Sequence, residues 1–406
     1  MGSILTNNSA MVALQSLSNI NRDLGQVQSE ISTGLKIGQA KDNAAIFAIS
    51  QVMRSDVKGF EAISDSLSLG QSTVAVGSNA AKAVGERLND IKQLIISSNG
   101  ENVDRGKLQD EIESLRGQIS GGVNAAQFNG LNVLSNKEST AGSSTFSVLS
   151  SLDRAPGATG VNTSSISVAK QDLGAEASAV GSGGAATVTA AGAGALADGD
   201  TDTITIGGTI TAGDSVSFAA AAFGTSGDID FVIRDGDTLA DVATGLASRI
   251  NFALASEGIE GFTVSASGAD LTIVNNSGAA TGDLSDGAVV VVESGGTIGG
   301  GLELLNDIDV TTTEGAAAGL SAIEDLIQIS VKAQAALGTS ENRIEVQNEF
   351  MSTLIDSFRS GIGTLVDSNL EEAAARLQAL QVQQQLGTQA LSIANQSPQS
   401  ILTLFR

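Results

Sequence analysis

The sequence predicts an α+β multidomain chain, helical at both ends and mainly β in between. Three observations carry that expectation. Near both ends, apolar residues recur in alternating steps of three and four, the period of a helix with one buried stripe. Across roughly residues 176–310 this period gives way to short alternating runs rich in Gly, Ala, Ser and Thr. The 406 residues include no His, Cys, Trp or Tyr, and the net charge is −24, which narrows the chemistry available to whatever fold forms.

The first seam runs Ala10, Ala13, Leu17, Ile20, Leu24, Val27 and Ile31, a heptad stripe about 33 Å long. After a Gly-containing break a second register takes Ile49, Met53, Phe60, Ile63, Leu67, Val74, Ala81, Val84, Leu88, Ile91 and Ile95, with Asp56, Gly70 and Gly77 at the skipped positions. Asn99-Gly100 is a helix stop signal. A third helix carries Leu108, Ile112, Leu115 and Ile119 towards Gly121-Gly122. Near the far end Ile323, Leu326, Ala333, Leu337, Ile344, Met351, Leu354, Phe358 and Leu365 form a fourth seam. Leu377, Leu380 and Leu386 then lead into a last stretch where Ser397-Pro398 either kinks or restarts the helix. A helix apolar on one stripe needs a partner. The long helices can supply one another, but residues 1–35 and 370–406 lie beyond that bundle. The chain also ends on Ile401, Leu402, Leu404 and Phe405, although aromatics make up only 3% of it. Ordering such ends costs about 1–2 kcal/mol per residue, so they are expected to fold only where neighbours complete their burial.

In the middle, "DTITIGG", "SVSFA", "DIDFVI", "FTVSA" and "LTIVNN" read as strands, and "DTLADVATGLASRINFAL" as a helix capped by Asp237 or Thr238. No Lys occurs between Lys170 and Lys332, and only Arg234 and Arg249 offset the many acids. An acidic, solvent-facing, mainly β insertion is expected.

Without His and Cys there is no zinc-finger, Fe–S, haem or His-based metal site, and no Ser–His or Cys–His nucleophile pair. An enzyme is not expected, nor a cofactor or a resident metal. A pI near 4.2 argues against nucleic-acid binding, and no apolar run is long enough to span a membrane. The first residues lack a basic n-region and a secretory h-region, so export without a cleaved signal is expected. Their match to a myristoylation pattern is a short, common one. Asp198, Asp200 and Asp202 have calcium-like spacing but read best as a solvated acidic turn. Asn162-Thr-Ser and Asn275-Asn-Ser match the N-glycosylation pattern, a weak signal.

"ISTGLKIGQAKDNAAIFAIS" at 31–50 resembles the bacterial flagellin signature, carried here by Gly34, Lys36, Asp42 and Asn43 among others. "NAAQFNGLNVLSN" at 124–136 resembles the flagellin turn after the third helix, with Gln127, Phe128, Asn129 and Gly130 in place. The ending "QQLGTQALSIANQSPQSILTLFR" is similar to the flagellin C-terminus. The insertion from "GDTLADVATGL" to "LTIVNN" is more loosely similar to a strand–helix–hairpin repeat of flagellin and hook-associated outer domains.

The resemblance implies a discontinuous fold: a terminal coiled-coil filament core (1–43 and 366–406), a helical rod with a β-hairpin (44–175 and 311–365), and an acidic β-rich outer domain (176–310). It implies a secreted, structural, self-assembling subunit of the flagellar filament that serves motility. Copies would meet through Ile4, Leu5, Leu14, Leu17, Ile20, Leu24, Val27, Ile31, Leu377, Leu380, Leu386, Leu391, Ile401, Leu402, Leu404 and Phe405. Further implied partners are an export chaperone, the export apparatus, the filament cap and hook-junction proteins. Many flagellins are sensed by Toll-like receptor 5 through a stretch reading Gln-Arg-Val-Arg-Glu-Leu-Ala-Val. The same place here holds "NDIKQLII", with Asn89 and Asp90 in place of Gln and Arg, whereas Lys92, Leu94 and Glu111 keep to the pattern. A hook–filament junction protein shares the N-terminal signature but would lack the Phe128 turn. A secreted coiled-coil adhesin would need a signal peptide or anchor. A flagellin with a peptidase insertion would need a zinc-binding His pair, and the chain has no His.

Overall fold

Long helices dominate the computed structural model, which describes residues 7–135, 143–153, 162–175, 178–179, 187–191, 194–219, 222–282, 290–294, 297–298 and 300–403. In chain order come α1 (Asn8–Thr33), α2 (Ala44–Ser98), α3 (Arg105–Ala125), β1 (Gln127–Phe128), β2 (Leu131–Asn132), β3 (Thr145–Asp153) and β4 (Asn162–Ala169). The insertion adds β5 (Ser178–Ala179), β6 (Thr187–Ala191), β7 (Thr201–Thr209), β8 (Asp214–Phe218), β9 (Ile229–Val232) and α4 (Leu239–Ser256). After these follow β10 (Phe262–Ser267), β11 (Asp270–Asn275), β12 (Val290–Ser294) and β13 (Thr297–Ile298). A short 3₁₀ turn, α5 (Thr313–Val366) and α6 (Leu370–Thr403) complete the chain. Two units emerge: Met1–Ser64 with Glu349–Arg406, and Asp65–Asn348.

In the second unit α2 keeps its predicted register. Leu67 and Val74 through Ile95 are buried on one stripe, and Ile323, Leu326, Leu337 and Ile344 of α5 are buried as well, whereas Ile49, the first residue of that register, lies in the first unit and is exposed. The skipped Gly77 has a packing role: a Cβ there would lie 2.2 Å from Cγ2 of Val133. The Asn129-Gly130 turn directs that valine inward. Both residues have positive φ, 50° and 82°, the pattern of a tight type I′ hairpin, which Asn-Gly adopts at little cost. α2 does stop at Asn99-Gly100, but Gly100 has no left-handed φ. Instead Asn99 Nδ2 and Arg105 Nε donate to the last-turn carbonyls of Ile95 and Ser98. α3 runs through Gly121-Gly122 to Ala125 rather than ending before them.

The insertion folds as a module around its own core. β10-β11-β7-β6 and β12-β8-β9 are antiparallel sheets, and α4 packs against strands of both. Ile204, Phe218, Phe231, Leu246, Ile250 and Ile273 belong to one buried cluster drawn from residues 196–273. Of the two predicted caps, Thr238 takes the role, forming a capping box with Asp241. Asn275, one of the two glycosylation matches, occupies an inward strand position and is fully buried. Its amide donates to Leu196 and Ala279 carbonyls and accepts from Ser277, which removes it as an acceptor site. The Asp198 carboxylate accepts from Gly278 N–H at 2.9 Å, and among the described residues no acidic cluster suited to a metal forms.

The module leaves and rejoins the helices at a stem. Leu302 N–H donates to Gly174 O at 2.9 Å, and a Cβ on Gly300 would lie 1.7 Å from that same oxygen. α3 grips the returning segment from the side: Gln109 bonds both Ile308 O and Val310 N, and Arg116 bonds Asn306 O.

In the first unit Phe60 and Phe358 meet edge-to-face at 5.3 Å, and Arg359 pairs with Glu61 at 2.6 Å. The fourth seam changes stripe here. Beyond Met351 the buried residues are Ile355, Ile362 and Val366, while Leu354 and Phe358 are half-buried and Leu365 is exposed. Two adjacent apolar stripes compete over these turns, and the one that ends on Val366 wins because the chain reverses against that residue. Lys36 N and Ile37 N both donate to Val366 O.

Candidate assembly interface

α1 and α6 run antiparallel, one against the other. Asn7, which caps α1, donates to Ala394 O at 2.8 Å, and Ser368 N–H donates to Gly34 O at 2.9 Å at the opposite end. Their shared seam buries Val27, Ala373 and Leu380, with Ile20, Leu24, Ile31 and Leu377 packed around them. Gln384 donates to Asn21 at 2.7 Å, and Gly387 leaves room for Leu17, whose Cδ1 would be 3.1 Å from a Cβ there. On α6 the seam therefore reads Ala373, Leu377, Leu380, Gln384, Gly387 and Leu391, a strict heptad that includes a polar residue and a glycine.

The signature residues build the joint that holds this pair closed. Gly34 ends α1 in the left-handed region, φ 72°, and its N–H bonds Glu30 O. Leu35 then bridges Asp367. Asp42 accepts from the N–H groups of Gly38 and Gln39, which fixes the loop. Asn43 accepts from Ala45 N and Ile46 N and so caps α2. Lys36 is exposed. In the other unit Gln127 and Phe128 pair with Asn132 and Leu131 across the Asn129-Gly130 turn. Asn89 donates to Gly85 O within α2, Asp90 pairs with Arg87 at 2.8 Å, and Lys92 pairs with Glu324.

The predicted interface residues fall into three groups. Leu17, Ile20, Leu24, Val27, Ile31, Leu377, Leu380 and Leu391 line or border the seam within one chain. Leu14 and Leu386 point away from it and are 59% and 58% exposed. Ile4, Leu5, Leu404 and Phe405 lie outside the described residues, and Ile401 and Leu402 are described only as backbone of α6.

Sequence reasoning missed a second stripe on α6. Val382, Leu386 and Ile393 are 55%, 58% and 69% exposed. At 100° per residue they stand about 180° from the seam. α6 is thus apolar on two opposite faces, of which α1 covers one. The steps 382, 386, 393 were legible as a heptad fragment beside the first. Around the second stripe the surface carries no charge: residues 1–21 and 377–405 contain no Asp, Glu, Lys or Arg, in a chain of net charge −24.

The family described as the bacterial flagellin N-terminal helical region matches residues 4–139, and the flagellin C-terminal helical region matches 320–405. Flagellin A of Rhizobium meliloti is 32% identical over 418 residues, and a flagellin of Brucella melitensis is 31% identical over 407. Both alignments cover the whole of each chain. Among solved structures, FliC from Burkholderia pseudomallei is 14% identical with a TM-score of 0.31, covering 68% of this chain and 99% of that one.

Proposed function

This chain belongs to the bacterial flagellin family, and we propose from that premise that its copies join through the outward face of α6. It is a structural subunit that self-assembles into the extracellular flagellar filament and serves motility. The observation that carries the proposed contact is the uncovered stripe of Val382, Leu386 and Ile393 on a helix whose opposite face is already filled. Burying those three side chains is worth roughly 1 kcal/mol or more each. A face repeated on every copy, meeting a different face above and below, propagates as a helix rather than closing into a ring.

The charge distribution supports the same reading. Copies bearing −24 repel one another, but they approach at a surface without charges, where no ion has to be desolvated. We extend the reading to Leu14 and to the terminal Ile4, Leu5, Ile401, Leu402, Leu404 and Phe405 as further members of this interface. The terminal core would comprise 1–43 and 366–406. A role without catalysis, export without a cleaved signal, and contacts with an export chaperone, the export apparatus, the filament cap and hook-junction proteins complete the proposal.

Salt-induced polymerisation followed by negative-stain microscopy tests it. The triple variant Val382→Gln, Leu386→Gln, Ile393→Gln should give no filaments while its helical circular dichroism stays at the wild-type level. Wild-type filament yield from that variant would remove the α6 face from the interface.

A further inference from the structure

The insertion holds only two cations, Arg234 and Arg249, between Lys170 and Lys332. Both lie in one place. They line a cleft of about 790 Å³ between the module and the segments beneath it, and both pair with acids of the stem. Arg234 Nε meets Asp172 at 3.0 Å, and Arg249 meets Glu303. Two neutral or charge-assisted bonds flank them. Asp235 accepts from Ser144 N–H at 2.7 Å, and Ser248 donates to Asp325 of α5 at 2.7 Å.

We propose that these four contacts form a polar latch that seats the outer module on the base of its stem, the start of β3 and α5, and that the module pivots on its stem when the latch is screened or removed. The module's hydrophobic cluster is drawn from residues 196–273, and of its members Phe231 alone lines the cleft, so opening the cleft uncovers little of it. The stem is of another kind. Its backbone bond between Leu302 and Gly174, and the fully buried Leu173, Leu302 and Leu305, do not depend on charge. Seat and hinge therefore respond to different conditions. Arg234 and Asp172 side chains are only 13% and 7% exposed, so screening acts mainly on Arg249 and Glu303, which remain 23% and 25% exposed. Ion pairs at that exposure are individually weak and weaken further as the Debye length shrinks. An acidic module with its only two cations on the inner side also has no second surface on which to settle in the same way.

The absence of cysteine makes a clean test possible. In the full chain, Ser248→Cys with Asp325→Cys places one thiol on each side of the cleft for capture by a short bis-maleimide. A control pair, Thr205→Cys with Asp270→Cys, sits on directly opposed strands inside the module. Capture across the cleft should be rapid at low ionic strength and slow about fivefold or more at about 1 M salt. In the Arg234→Gln, Arg249→Gln background it should already be slow and indifferent to salt. The control pair should be captured equally under every condition. Capture across the cleft that ignores both salt and the arginine changes would overturn the latch, as would no capture at low salt. Should the arginine variant lose capture of the control pair, and with it the module's fold, the salt series on unaltered arginines decides alone.

Discussion

Asp237 is buried in the turn ahead of α4, and that burial raises its pKa to about 6 against the favourable charge and N–H of Arg234, with Asp241 and Asp172 adding to the rise. The native module thus holds a proton that the unfolded chain has released above 3.8. The stability this confers is complete below the unfolded pKa and is lost as pH rises through 6. Asp237→Asn should therefore raise the melting temperature of the module at pH 8, by at most about 3 kcal/mol in stability. It should also flatten the dependence between pH 4 and 6, as calorimetry across that range would read. Asp90 presents the opposite case, an acid on an exposed helix face, already paired with Arg87. A surface built to receive a guanidinium donor would meet an acceptor there. Activation of Toll-like receptor 5 by the monomer should be weak, and Asn89→Gln, Asp90→Arg, Gln93→Glu should restore it in a receptor-reporter assay. Strong activation by the unaltered chain would count against this.

At the scale of elements, glycine inside a helix is a defect by propensity and a requirement by packing, and position decides which. Gly77 faces Val133, which is buried to 1% exposure and cannot withdraw. Gly77→Ala should destabilise the second unit by about 1–3 kcal/mol through overpacking, although alanine is the better helix former. Gly121 of α3 has nothing within 4 Å of its missing Cβ. Gly121→Ala should stabilise by up to about 1 kcal/mol. Opposite shifts in urea midpoint would confirm that the two glycines of similar sequence context have different duties; equal shifts would contradict it. The periodicity of α2 made its buried stripe readable in advance because helical repeat is a local property. The occupant of the gap at Gly77 comes from a turn more than fifty residues later, so it was not.

For the whole molecule, the stem sets where the insertion can be cut. Residues 302–310 contribute Leu302, Leu305, Ile308 and Val310, all buried, and α3 grips this segment through Gln109 and Arg116. Replacing 176–299 by a short Gly/Ser linker should leave filaments and rod stability intact, since the ends are adjacent at Gly174 and Gly300 and short closure is cheap. Extending the replacement to 310 should lower the melting temperature and cost assembly. Filaments from the longer replacement, or none from the shorter, would move the boundary.

Composition and repeat alone determined the helical ends and the β insertion with its single helix; the Asn129-Gly130 turn and the signature around Gly34 and Asn43 were legible only as a family resemblance, and the structure supplied their hairpin and capping roles. Each of these rests on contacts between residues near in sequence or on a period written along one strand of chain. Only tertiary structure decided which of two apolar stripes on α6 faces α1. Leu386 looks like a companion of Leu377 and Leu380, yet it stands on the far side, while Gln384 and Gly387 take the seam. Hydrophobicity could not rank the stripes. The choice falls to shape and polarity on the partner helix, where Leu17 needs the space of a glycine and Asn21 needs a donor. The same reason kept the two arginines of the insertion unexplained until Asp172 and Glu303 were found beside them.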